Sequence, residues 1–317
     1  MFIQQAFKSK HEWWRYLIGI LIVFFGWQLL GVIPLTMVAF MHAGNITEFV
    51  AGAADNFTSL GINQNLYLFL LIIMFAFGLL GLWFAVKFIH RQPVKQLTTS
   101  RKKVDWSRIR FAFLMVFLIN LVFFAIGYLL EPEAFVWNFQ PVPFLILCVI
   151  VIFFLPLQTS FEEYLFRGYL MQGLGVLARN RWFPLIFTSV TFGLLHSLNP
   201  EVDKLGYIVM VFYIGTGFLL GIMTLMDEGM ELALGFHAGN NVFAAIMMTT
   251  DWTALQAPAL FKDISDPSAG VDVVAPVLII YPIYLYILAR KYNWTDWNEK
   301  LFGKVYPPAR IIPDEEI

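Results

Sequence analysis

Residues 144–169 read FLILCVIVIFFLPLQTSFEEYLFRGY. No charge appears from Phe144 to Phe161; then Glu162 and Glu163 stand side by side, and Arg167 follows four residues after the second acid. A carboxylate at membrane depth is disfavoured by about 2.5–3.5 kcal/mol on insertion scales, so acids inside an apolar span mark a candidate functional site. The run before them suits a helix in a bilayer, whose hydrocarbon core takes about 20 residues.

The rest of the chain extends that reading. It has 317 residues, 59% hydrophobic and 14% charged, against about 25% charged in an ordinary soluble domain. Its mean hydropathy is +0.70. Uncharged runs fall at roughly 16–41, 66–86, 111–130, 144–161, 182–198, 205–226, 232–250 and 273–289, which predicts an all-α polytopic membrane protein of about eight spans. The fifth and seventh are the shortest or most polar. The first run is too long for a leader's apolar region and lacks a small-residue cleavage site. A net charge of −1 offers no basic excess for nucleic acid, and the single Cys148 excludes an intrachain disulfide.

Charge is segregated along the chain. Eighteen of the 21 Lys and Arg lie before the first span, in the basic segment 87–110, after the fourth span or after the eighth. Only Lys204 and Lys262 fall in the intervening loops, and Arg167 lies beside the acids. The positive-inside rule then places both termini and loop 87–110 in the cytoplasm of a multi-pass cell-membrane protein, with that loop favouring anionic lipid. No repeat or linker divides residues 1–317, so a single membrane-embedded domain is expected, its polar core within about 144–250. In the tail 290–317, Trp294, Trp297, Leu301, Phe302 and Val305 suit an interfacial helix. Gly217 and Gly221, and Gly235 and Gly239, form two GxxxG pairs suited to close helix packing.

Two of the five histidines, His196 and His237, fall within spans. Phe192 precedes His196 by four, Asn241 follows His237 by four, and Glu163 precedes Arg167 by four, so each pair shares a helix face. Glu162 is turned about 100° from Glu163. A lone intramembrane histidine or asparagine usually serves as an interhelical hydrogen-bond partner, and a Glu–Arg pair can simply join a bundle. Together, acids, imidazoles and an amide on separate helices have the composition of a catalytic site.

In order, Glu162-Glu163-Tyr-Leu-Phe-Arg167, Phe192-Gly-Leu-Leu-His196 and His237-Ala-Gly-Asn-Asn241 read EExxxR, FxxxH and HxxxN. Over residues 155–245 the chain resembles the CAAX prenyl protease and bacteriocin-processing (CPBP, or Abi) family of intramembrane endopeptidases. Phe166-Arg167-Gly168 and Asn199-Pro200 resemble its bacterial members. The resemblance implies a protease acting on a membrane-associated peptide or protein. In it Glu162 polarises a water beside His196, His237 and Asn241 stabilise the oxyanion, and Glu163 with Arg167 and Phe192 supports the site. No cofactor is then required. A zinc version would use Glu162, His196 and His237 as ligands, although HExxH is absent.

A serine hydrolase is disfavoured because Ser160 and Ser189 lack a GxSxG elbow. Phosphate and dinucleotide loops are missing. An immunity or scaffold protein keeping the motif helices is an alternative, and an ion-coupled transporter is another, although neither repeated halves nor paired broken helices are evident. Substrate is expected to enter from the cytoplasmic side or the bilayer, with Glu162 in the cytoplasmic half of its span.

Overall fold

The computed structural model describes residues 1–308 apart from 255, 268 and 269. It is 74% helical. The principal helices are α1 (Trp13–His42), α2 (Gln64–Ile89), α3 (Trp106–Leu130), α4 (Pro141–Ala178), α5 (Trp182–Leu194), α6 (Tyr207–Asp227), α7 (Glu231–Met247) and α8 (Val273–Tyr292). Six are long and apolar enough to cross a membrane. The other two are α5, of 13 residues, and α7, of 17. At about 1.5 Å per residue these reach only about 20 and 26 Å. The chain is therefore an all-α polytopic membrane protein whose fifth and seventh segments are short: α7 is largely buried, while α5 leaves Trp182, Phe183, Ile186 and Phe187 exposed on one face.

Hydrogen bonds between distant segments sort the connections into two ends. At one end Gln4 Nε2 donates to Tyr306 O, Arg181 N to Gly303 O and Ser100 N to Glu228 O. That end gathers the N-terminus, the basic loop 87–110, the α4–α5 and α6–α7 turns and the described part of the tail, to Tyr306. At the other end Asn65 Nδ2 donates to Pro143 O, Ala254 N to Glu201 Oε1 and Asn138 N to Leu260 O. A small sheet lies there, with β3 (Phe261–Asp263) between β1 (Phe135–Trp137) and β2 (Met248–Thr249).

Apolar side chains at helical spacing remain exposed on the outside of the bundle, among them Leu17, Leu21 and Phe24 on α1 and Leu145, Val149 and Ile152 on α4. Such stripes are the lipid-facing surface of a membrane helix. Inside, small residues bring backbones together. A Cβ on Gly239 would lie 2.6 Å from Phe113 O on α3, and one on Gly217 would lie 2.5 Å from Ser189 O on α5. The two GxxxG pairs thus seat α7 on α3 and α6 on α5.

The fourth helix runs past the uncharged stretch 144–161 to Ala178, with the acids and Arg167 inside it. One expectation needs correction: the tail forms no single interfacial helix. Beyond α8 its one helix among the described residues is Trp297–Phe302, while Trp294 and Val305 are buried. Trp294 turns inward because its Nε1 donates to Asp227 Oδ1 (3.2 Å). Arg310 lies outside the described residues.

Candidate functional site

The two glutamates occupy an irregular part of α4. Pro156 lacks a backbone N–H to continue the ladder, and the helix is interrupted at Phe154. Immediately after Glu163 the helix widens into a π turn over Tyr164–Leu170, a form that recurs at functional sites.

Glu163 and Arg167 are both wholly buried. Arg167 Nη1 donates to Glu163 Oε1 (2.9 Å) and Arg167 Nη2 to Gly217 O on α6 (3.1 Å). The guanidinium lies 4.4 Å from the centre of the Phe192 ring, a stacking that a desolvated cation favours. Glu163 Oε1 also meets His237 Nδ1 at 2.8 Å. One acid therefore ties together a cation on its own helix and an imidazole on α7.

Glu162 has different company. Its Oε1 accepts from Gln158 Nε2 (2.6 Å). Its Oε2 is buried with no hydrogen-bond partner and lies 3.5 Å from His237 Nε2, beyond an ordinary hydrogen bond. Behind Gln158 stands a row of amides. Asn120 Nδ2 donates to Asn240 Oδ1 (3.1 Å), Asn240 Nδ2 to Asn241 Oδ1 (3.2 Å) and Asn241 Nδ2 to Gln158 Oε1 (3.4 Å). Each donates towards Glu162. The row begins on α3, passes along α7 and ends on α4.

His196 sits apart from the carboxylates. Its Nδ1 meets Phe192 O (2.8 Å), and its ring stacks on Tyr213 at 4.4 Å between centroids and 23° between planes. Asn199 Nδ2 donates to the Tyr213 hydroxyl (3.2 Å). A carbonyl accepts from His196 Nδ1 and a carboxylate from His237 Nδ1, so both nitrogens carry their protons. In the neutral imidazole Nε2 is then the lone-pair nitrogen in each ring.

Glu162, His196, His237, Asn241, Gln158 and Asn240 line one cavity of about 1650 Å³, to which Phe192 also contributes. Glu163 and Arg167 are not on its wall, and neither are Cys148, Ser160 and Ser189. The geometry thus separates the adjacent acids: Glu162 faces open space and Glu163 faces protein.

The fit to zinc is incomplete. Both histidines have the engaged Nδ1 and free Nε2 common among ligating imidazoles. Yet among the described residues no three His, Cys, Asp or Glu side chains gather closely enough to hold a metal ion. The set Glu162, His196 and His237 does not converge as a tetrahedral site requires.

Residues missed from the sequence include Gln158, Asn240, Asn120 and Tyr213. Gln158 carried a signal, because it precedes Glu162 by one helical turn, the spacing of a Gln–acid pair. Asn120 and Asn240 are amides in apolar helices that only tertiary packing links.

Fold and site together define a polytopic membrane protein with acid–imidazole chemistry buried in its helix bundle. Residues 137–243 match the family model described as type II CAAX prenyl endopeptidase Rce1-like. The chain is also similar to YyaK of Bacillus subtilis (strain 168), named as an uncharacterized protein: 29% identity over 253 residues covers 76% of this chain and 80% of that one. Over residues 137–243 the match supports the resemblance to the CAAX prenyl protease and bacteriocin-processing family, and such a family implies an intramembrane endopeptidase acting on a peptide or protein in a membrane setting. No solved structure matches it.

Proposed function

We propose that this protein hydrolyses a peptide bond of a membrane-associated peptide or protein, with Glu162 as the general base. The observation that carries this reading is the unpartnered Oε2 of Glu162, which faces His237 Nε2 across 3.5 Å on the cavity wall. A water between these groups gives a proton to Glu162 Oε2, which shares it with His237 Nε2 across the 3.5 Å gap, as the water oxygen adds to the scissile carbonyl carbon. The C–N bond then breaks, and that proton passes to the departing amine.

The other residues take supporting parts. Glu163, fixed by Arg167, holds the His237 ring so that Nε2 points to the water. His196, across the same cavity, offers a second Nε2 for relaying protons. Asn241 supplies an amide donor for the oxyanion. With its Nδ1–H given to Glu163, His237 can join Asn241 as an oxyanion donor only after Nε2 has taken a proton. The family's oxyanion role for His237 therefore follows proton transfer rather than preceding it. In this reading no metal takes part, and both termini are cytoplasmic in the cell membrane.

The test is to reconstitute the purified protein in liposomes, supply a mixture of apolar peptides and identify the products by mass spectrometry. Cleavage that persists after exhaustive chelation is expected. Loss on chelation with recovery on adding zinc would replace the glutamate mechanism with a metal one. Cleavage absent under every condition would favour the immunity or scaffold reading.

A further inference from the structure

The cavity that contains Glu162 is lined from only one half of the bundle. On α1 the wall begins at Trp27 and continues away from the basic end, and on α2 it runs from Gln64 to Phe75. Its rim includes Asp55, Thr58, Glu201, Asp203 and Asp251, all in connections at the end carrying the small sheet. Among the described residues, none of the connections at the basic end contributes to the wall.

The basic end is closed by its own packing. Phe2 and Ile3 are buried there against Met171, Leu225 and Met230. Arg101 donates to Asp227 Oδ2 (2.9 Å) and Glu231 Oε2 (3.1 Å), and Arg108 also pairs with Asp227. Asp251 is paired with Lys262 (2.7 Å), and the remaining rim acids Asp55, Glu201 and Asp203 outnumber Lys204, the one lysine on the wall among the described residues, which favours an incoming cation over an anion.

From this geometry we infer that the substrate is a basic peptide segment that reaches Glu162 from the face opposite the basic loops. Eighteen of the 21 Lys and Arg orient that face extracytoplasmically. Entry from the cytoplasmic side, the expectation from sequence, would have to pass the plug at Phe2 and the Asp227 cluster. This inference rests on the peptidase reading for what happens at Glu162, but the route and the charge preference are properties of the cavity itself.

The test uses the full chain with Cys148→Ala and one added cysteine, either Thr58→Cys at the rim or Lys102→Cys in the basic loop. A membrane-impermeant maleimide should label Thr58→Cys in spheroplasts and Lys102→Cys only in inverted vesicles. An impermeant lysine-rich peptide should protect Thr58→Cys at least tenfold better than a glutamate-rich peptide of the same apolar core. It should be cleaved by spheroplasts and not by inverted vesicles. Reversed labelling, equal protection by the two peptides, or cleavage confined to inverted vesicles would overturn the inference. Protection without cleavage, in vesicles and in detergent alike, would retain the route and sink the peptidase reading instead.

Discussion

Among its described residues the protein buries two pairs of acids, one at its basic end and one at its centre, and it treats them differently. At the basic end Asp227 Oδ1 accepts from Arg108 and Trp294, and Oδ2 accepts from Arg101. Glu231 Oε2 accepts from Arg101 and Oε1 from Asp105 N. All four oxygens are satisfied. At the centre Glu162 and Glu163 each keep one oxygen without a partner, and only Glu162 reaches the cavity. Fully paired acids hold elements together, whereas a buried oxygen left free is available to a water or substrate. Burial and charge alone do not distinguish these pairs; the count of satisfied oxygens does.

Breaking each set of contacts sharpens that contrast. Arg167→Met should have the largest effect on stability, about 3–5 kcal/mol, because it leaves Glu163 buried without its cation. Thermal unfolding in detergent would show it, and stability equal to the parent would mean that the Glu163–Arg167 contact does not hold the bundle together. Arg101→Met should cost about 2 kcal/mol, since its side chain is partly exposed, and should leave cleavage per folded molecule unchanged. Cleavage lost in proportion to the lost stability of that variant would erase the distinction between the two regions.

Gln158→Leu removes a hydrogen bond to a charged group, worth roughly 1.5 kcal/mol or about tenfold in rate. Because Gln158 is assigned as a positioning residue for Glu162, the pH–rate profile should move as well as kcat. A changed KM with an unmoved profile would assign Gln158 to substrate binding. The smallest effect is expected at His90, just beyond α2, whose Nδ1 meets Lys10 O (2.7 Å) and whose Nε2 meets the Tyr169 hydroxyl (2.8 Å). Burial pushes its imidazole below the ordinary value, so the unfolded chain takes up a proton first as pH falls. This contribution to stability is complete above about pH 6.5 and declines below it. Melting curves of His90→Gln should lack that decline, and an identical pH dependence in both proteins would remove His90 as its source.

Much of this organisation is legible in the sequence because membranes impose simple rules on it. The uncharged runs mark all eight helices, and the four-residue spacing of Glu163 and Arg167 puts them within reach whatever surrounds them. The partner of His237 is not legible. Its spacing to Asn241 defines a face of α7, but only the packing of α7 against α4 brings Nδ1 to Glu163. The inward turn of Trp294 is hidden for the same reason: a tryptophan near a helix end reads as an interfacial anchor until Asp227 is found beneath it.

The most direct measurement compares Glu162→Gln with the parent in peptide cleavage, each normalised to folded protein. Glutamine preserves the shape and the contact with Gln158 but cannot accept the proton. Cleavage should fall by roughly 10²–10⁴-fold, the range for loss of a general base, with melting temperature unchanged. A Glu162→Gln protein that cleaves within threefold of the parent would contradict the assignment of Glu162 as the base.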